Sequence, residues 1–170
     1  MNADHEHFIG VCLDLARKSI AEGNRPIGSV VVLKGKVVGE GRNQSNTVRD
    51  PTAHAEVAAI RDAAQRLGTS DLSGCTLYSG IEPCPMCLGT ILEAKITTLV
   101  LGGRHAGIGR KDRGSYNVER MVELTNGKLE IVTGVRAGDC EKLWLDWNAS
   151  QPKPAQKNAQ GVNQPGLNVG

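Results

Sequence analysis

Apolar positions along the chain change their period several times, and each change predicts an element. From Asp4 to Glu22 they fall at Phe8, Val11, Cys12, Leu15, Ala16 and Ile20, a helical spacing closed by Gly23-Asn24. Pro26 breaks the pattern. The run from Ser29 to Leu33 then reads as a buried strand, Lys34-Gly35-Lys36 as a tight turn, and Val37 to Glu40 as its antiparallel partner. A polar loop from Arg42 to Arg49 leads to Asp50-Pro51. An aspartate cap and a first-turn proline there predict a helix running through Val57, Ala58, Ile60 and Ala64 to Leu67, with a stop at Gly68.

Cys75 to Tyr78 predicts a third strand, and after Pro83 a second proline-marked helix starts near Cys84 and continues through Leu88, Ile91 and Leu92. Ile96 to Leu101 reads as a fourth strand, residues 102–113 as a glycine-rich basic loop, and Leu129 to Val132 as a fifth strand. Ala137 to Trp147 has Cys140, Leu143, Trp144 and Trp147 on one helical side. Two strands, helix, strand, helix, strand is the order of an α/β fold with a mixed sheet covered by helices. From Ser150 onward Gln, Pro, Asn, Lys, Ala and Gly dominate. Residues 1–149 are therefore expected to form one domain and 150–170 a disordered tail.

Composition adds bounds rather than a function. A chain of 170 residues, 39% hydrophobic, suits one buried core better than two. A net charge of +2 falls far short of a dedicated nucleic-acid binder and leaves the partner open. Met1 to Glu6 is polar and acidic where a secretory signal is basic and then apolar, and no apolar run approaches membrane-spanning length. A cytoplasmic protein with no membrane partner is expected. Five cysteines, an odd number with two in one CxxC, fit metal binding in a reducing compartment better than a disulfide framework.

The chemistry concentrates in His54-Ala55-Glu56 and Pro83-Cys84-Pro85-Met86-Cys87, both at predicted helix N-termini. Cys84 and Cys87, at i and i+3, face one way on a first turn, and a helix N-terminus favours thiolates. With the imidazole of His54 they form a three-ligand Zn²⁺ site, one ion per chain, whose fourth position is open to water of lowered pKa. Glu56 is the spare carboxylate that moves protons. A CxxC also serves structural zinc and redox dithiols. A closed structural site needs a fourth ligand, which only Cys75 is placed to offer, and burial preference makes Cys75, Cys12 and Cys140 core residues instead.

These motifs resemble the zinc-dependent cytidine-deaminase-like superfamily, whose HxE and PCxxC signature is well characterised. The likeness runs from about Phe8 to Trp147. It is strongest toward the branch of guanine deaminases, cytosine deaminases and tRNA adenosine deaminases, through Pro26-Ile27-Gly28, Asn43, Asp50 to Glu56 and Glu82 to Cys87. The resemblance implies a three-layer α/β/α fold with a five-stranded mixed sheet, and a homodimer. It implies zinc ligation by His54, Cys84 and Cys87, proton shuttling by Glu56, a base contact from Asn43 and a leaving-amine acceptor in the backbone carbonyl of Glu82, with Ile27 beside the substrate.

Several residues keep two readings. Asn43 is turn chemistry or a substrate contact. The loop from Arg104 to Arg113 is a solvated basic loop or a phosphate holder without a P-loop pattern. Its His105 belongs at the surface or beside the site rather than on the metal. Tyr116, Trp144 and Trp147 are core residues or base-stacking lids. The leading functional expectation is ammonia release from a small nucleobase or nucleoside of guanine or cytosine type. The alternative is deamination of adenosine in a tRNA anticodon loop. Against tRNA stand Pro85, His105 in place of an acidic residue after Arg104, and the absence of a basic extension before Pro152. A structural zinc-binding interaction module is a third reading, disfavoured by Glu56.

Overall fold

The computed structural model describes residues 3–152. Helix α1 (Ala3–Ala21) precedes the hairpin β1 (Gly28–Leu33) and β2 (Lys36–Arg42), followed by α2 (Ala55–Leu67), β3 (Thr76–Ile81), α3 (Pro85–Glu93) and β4 (Thr98–Gly103). A short 3-10 turn at Lys111–Arg113, helix α4 (Val118–Leu124), β5 (Glu130–Val132) and α5 (Ala137–Ser150) complete it. The strands form one sheet in the order β2-β1-β3-β4-β5. The β1 strand is antiparallel to both β2 and β3, whereas β3, β4 and β5 run parallel.

Strand alternation divides the core into two halves. Val30, Val32, Tyr78 and Val100 face α1 and α5, meeting Phe8, Ile9, Cys12, Cys140 and Trp144. Val31, Leu77, Leu99 and Leu101 face the other way, onto Ala59, Ile60 and Ala63 of α2 and Leu88 and Ile91 of α3. The result is the expected three-layer arrangement. Cys12, Cys75 and Cys140 are buried core residues. Burial pushes all three thiols up, Cys140 to about 11. No helix among the described residues is long and apolar enough to cross a membrane.

Three sequence expectations need correction. The helix expected from Asp50-Pro51 begins at Ala55, because the Asp50 carboxylate accepts from both the Thr52 amide and its hydroxyl at 2.7 Å, folding 50–53 into a turn. Helix α4 was hidden by its length, since seven residues carry too little periodicity to read. The final helix continues through Ser150, past the expected tail boundary. The tail itself, from residue 153, lies outside the described residues.

The position of α2 depends on two glycines of β2. A Cβ on Gly39 would come 2.3 Å from the Ala59 carbonyl oxygen, and one on Gly41 would come 2.1 Å from that of Ala55. Only glycine lets the helix lie this close. Gly41→Ala should therefore lower stability by about 1–3 kcal/mol and reduce zinc retention, because Ala55 separates His54 from Glu56. Gly89→Ala, whose Cβ meets nothing within 4 Å, should change stability by less than about 1 kcal/mol. Thermal unfolding of the two variants beside the parent tests the contrast, and equal losses would refute it.

Candidate active site

Strand polarity changes between β1 and the parallel half of the sheet, and the site lies at that change. The start of β1 therefore sits beside the ends of β3 and β4, and all three edges supply residues. Both α2 and α3 point their N-termini there.

His54 caps α2 and Cys84 caps α3. Each has the extended backbone of a cap residue (ψ 156° and 168°), and neither side chain makes a capping hydrogen bond. A serine or aspartate at these positions would turn back onto the free amides. The imidazole and thiol instead turn into the space between the helices. Pro85 fixes the first turn of α3 and brings Cys87 round to the same side.

The Cys84 and Cys87 sulfurs are 3.6 Å apart, and His54 Nδ1 lies 3.6 Å from Cys84 Sγ and 3.4 Å from Cys87 Sγ. Tetrahedral coordination with Zn–S of about 2.3 Å and Zn–N of about 2.0 Å requires separations of roughly 3.5–3.8 Å. The donor set fits zinc. Among the described residues these three form the one His/Cys/Asp/Glu group arranged to hold a metal ion.

The electrostatics of the donor cluster also suit a cation. Its hydrogen bond from Cys87, followed by contact with His54, holds the Cys84 thiol down at about 3. The same bond together with burial pushes Cys87 up. Two sulfurs this close do not both ionise unless positive charge separates them. The hydrogen bond with Cys84 raises His54.

Glu56 is buried, with Oε2 3.4 Å from Cys87 Sγ and Oε1 3.4 Å from the Ser79 hydroxyl. Desolvation raises its pKa, so this carboxyl is poised to hold a proton. A cavity of about 20 Å³ lies above the cluster, lined by His54, Glu56 and Cys84 with Arg25, Ile27, Ile81, Glu82, His105, Arg110, Arg113 and Trp144. That is about the room of one water. Part of its wall is the Arg110 guanidinium, 5.5 Å over the Trp144 ring and bonded at 2.7 Å to Asp112.

The remaining sequence candidates divide. Ile27, Glu82 and His105 line the cavity. Asn43 is fully buried, its Oδ1 accepting from the Ser45 amide and hydroxyl, while its Nδ2 has no partner. Tyr116 donates to the Pro83 carbonyl at 2.7 Å and lines a separate cavity of about 670 Å³ beside α4, which contains none of the metal-binding side chains. Trp147 packs behind Trp144, ring centres 5.5 Å apart, and it is Trp144 that lines the cavity above the donor cluster. The 104–113 loop is not simply solvated, since His105 and Ile108 are buried. Burial lowers the pKa of His105. Arg25 lacked any signal in the sequence.

The side chain of Glu82 was also missed. Its two oxygens accept from the amides of His105 and Val118 at 3.0 Å, and Arg104 Nε lies 3.3 Å away. One buried carboxylate thus ties both ends of the wall loop to the end of β3.

A model of the cytidine and deoxycytidylate deaminase zinc-binding region matches residues 2–103. The chain belongs to this family. Guanine deaminase of Bacillus subtilis is 43% identical over 60% of this chain and 66% of its own length. The tRNA-specific adenosine deaminase of Buchnera aphidicola is 37% identical over 92% of this chain and 96% of its own length. A solved guanine deaminase of Nitrosomonas europaea superposes with a TM-score of 0.77 at 28% identity, covering 85% of this chain and 84% of that one. The chain spans only 26% and 23% of two tRNA(Ile)-lysidine synthases of Deinococcus species to which it is 40% identical.

Glu82→Gln leaves one acceptor oxygen where the loop needs two. It should cost about 1–3 kcal/mol in urea unfolding and open residues 104–117 to limited proteolysis. Parent-like resistance to nicking would show that the carboxylate does not hold the loop.

Proposed function

We propose that this chain is a hydrolytic, zinc-dependent deaminase that releases ammonia from the exocyclic amino group of a small substrate carrying a guanine- or cytosine-type ring. The observation that carries the reading is the buried Glu56 carboxylate, in contact with Cys87 and free of any metal-binding role of its own. When bound by His54, Cys84 and Cys87, zinc supplies a Lewis acid that lowers the pKa of water at its open position.

The chain's own residues account for the other steps. Ile27, Ile81 and Trp144 offer apolar surface to a flat ring, and their packing excludes bulk water. Glu56 takes a proton from the attacking water and passes it to a ring nitrogen, then carries a second to the departing amine. Water adds to the amino-bearing carbon, the C–N bond breaks, and the ring keeps a carbonyl as ammonia leaves. The backbone carbonyl of Glu82 accepts from the amine, and Asn43 Nδ2, buried and unpartnered, is the donor available to the substrate.

Adenosine in a tRNA loop is the second reading, favoured by the near-complete mutual coverage with the Buchnera enzyme. In either case we place residues 1–149 in one catalytic domain. Met86 and Leu124, exposed on α3 and α4, support a homodimer, and five free thiols support a cytoplasmic setting.

Purified protein should contain about one zinc per chain. Glu56→Ala should retain that zinc and lose about 10²-fold or more in ammonia release, whereas Cys87→Ser should lose both. Metal analysis beside an ammonia assay on cytosine, guanine, adenine, their nucleosides and tRNA makes the test. A Glu56→Ala protein without zinc would sink the shuttle assignment.

A further inference from the structure

A second cavity opens beside the catalytic one. It measures about 360 Å³ and is lined by Arg25, Ser45, Asn46, Arg49, Pro51 and His54. Two residues belong to both cavities, the metal-binding His54 and Arg25. Two guanidiniums and no carboxylate line this second space, so its charge is uncompensated.

Among the described residues neither arginine side chain is engaged elsewhere. Around the catalytic wall Arg104 pairs with Glu82 and Glu119, and Arg110 with Asp112. Arg25 and Arg49 have no ion-pair partner among the described residues. The carboxylate next to Arg49, that of Asp50, is turned onto Thr52. Arg49 also stands at φ 54°, where glycine or asparagine costs less, so the turn itself gives no reason for an arginine.

The cavity walls are held in place from below. The carbonyl oxygens of Arg25 and Asn43 both lie within 2.7 Å of the buried Ser19 hydroxyl. Asn24, with no exposed surface, accepts from the Asn46 and Thr47 amides and donates to the Thr47 hydroxyl. Asn46 Nδ2 returns to the Gly23 carbonyl. These bonds fasten the Arg25 segment to the loop that carries Arg49, so both arginines line one space.

From this we infer that the space beside His54, between Arg25 and Arg49, is a subsite for a phosphate carried by the substrate, so that the ring arrives as part of a nucleotide rather than as a free base. The inference rests on the deaminase reading and specifies what hangs on the ring. A ring above Glu56 with its sugar passing Arg25 brings a phosphate between the two guanidiniums, which bind such oxyanions in paired hydrogen bonds. A nucleoside monophosphate and an RNA phosphodiester present the same chemistry.

The test compares each base, nucleoside and nucleoside 5′-monophosphate, and an RNA stem-loop, by ammonia release and by calorimetric titration of the zinc-loaded protein. A phosphorylated member should exceed its parent nucleoside by about tenfold or more in kcat/KM and in affinity. Arg49→Ala, at an exposed position outside the catalytic cavity, should pull that ratio toward one chiefly through KM, and Arg49→Lys should restore part of it. Arg25→Ala should do the same with a further loss of rate. Preference for the 5′-monophosphate identifies a nucleotide as the source, and preference for the stem-loop identifies RNA. Equal handling of phosphorylated and unphosphorylated ligands, or a ratio untouched by Arg49→Ala, overturns the subsite. If no ligand releases ammonia, the titrations still decide the subsite, and the deaminase reading fails separately.

Discussion

Three donor atoms within 3.6 Å of one another, two of them sulfur, are the arrangement on which the rest of the molecule depends. Such a set repels itself as soon as both thiols ionise, and the two helix N-termini that face it, with the cation it is built to hold, would offset that repulsion. Bringing two helix ends to one point is a demand on the whole sheet. The α3 helix follows β3 directly, so its start is tied to that strand's end. The α2 helix reaches the same point by lying on β2 with no side chain between them, at Gly39 and Gly41.

Around that cluster the charges fall into two layers. Glu56 and Glu82 are buried beside the donors, while Arg25, Arg110 and Arg113 stand over them. The two carboxylates do different things because their surroundings differ. Glu82 is saturated by two backbone amides and an arginine, which makes it a fastening for the 104–118 segment. Glu56 meets a hydroxyl and a thiol at 3.4 Å and its own backbone amide, with no cation beside it as Glu82 has, and burial raises its pKa. The segment that Glu82 fastens at both ends carries Arg110, which lies over the Trp144 ring of α5 and closes the cavity on that side.

Much of the fold was legible because β1, β3 and β4 are short, largely buried runs, because α1 and α2 stop just before Gly23 and Gly68, and because a proline opens α3. The start of α2 was misplaced because Asp50-Pro51 carries cap-like chemistry that serves a turn instead. The zinc donors were legible because a CxxC at a helix start fixes the relative placement of two sulfurs by local geometry alone.

The walls of the pocket were a different matter. Trp144 and Trp147 lie three apart on one helix and look equivalent in the sequence, yet only the packing of α5 against β4 decides that Trp144 reaches the cavity. Arg25 and Arg49 are 24 positions apart and acquire a common meaning only through Ser19 and Asn24, whose hydrogen bonds join their two segments. The sequence by itself determined which atoms could hold the metal and move protons, because those depend on spacings of two and three residues. Tertiary structure alone decided which side chains line the cavities beside the metal donors, because that choice is made by contacts between segments far apart in the chain.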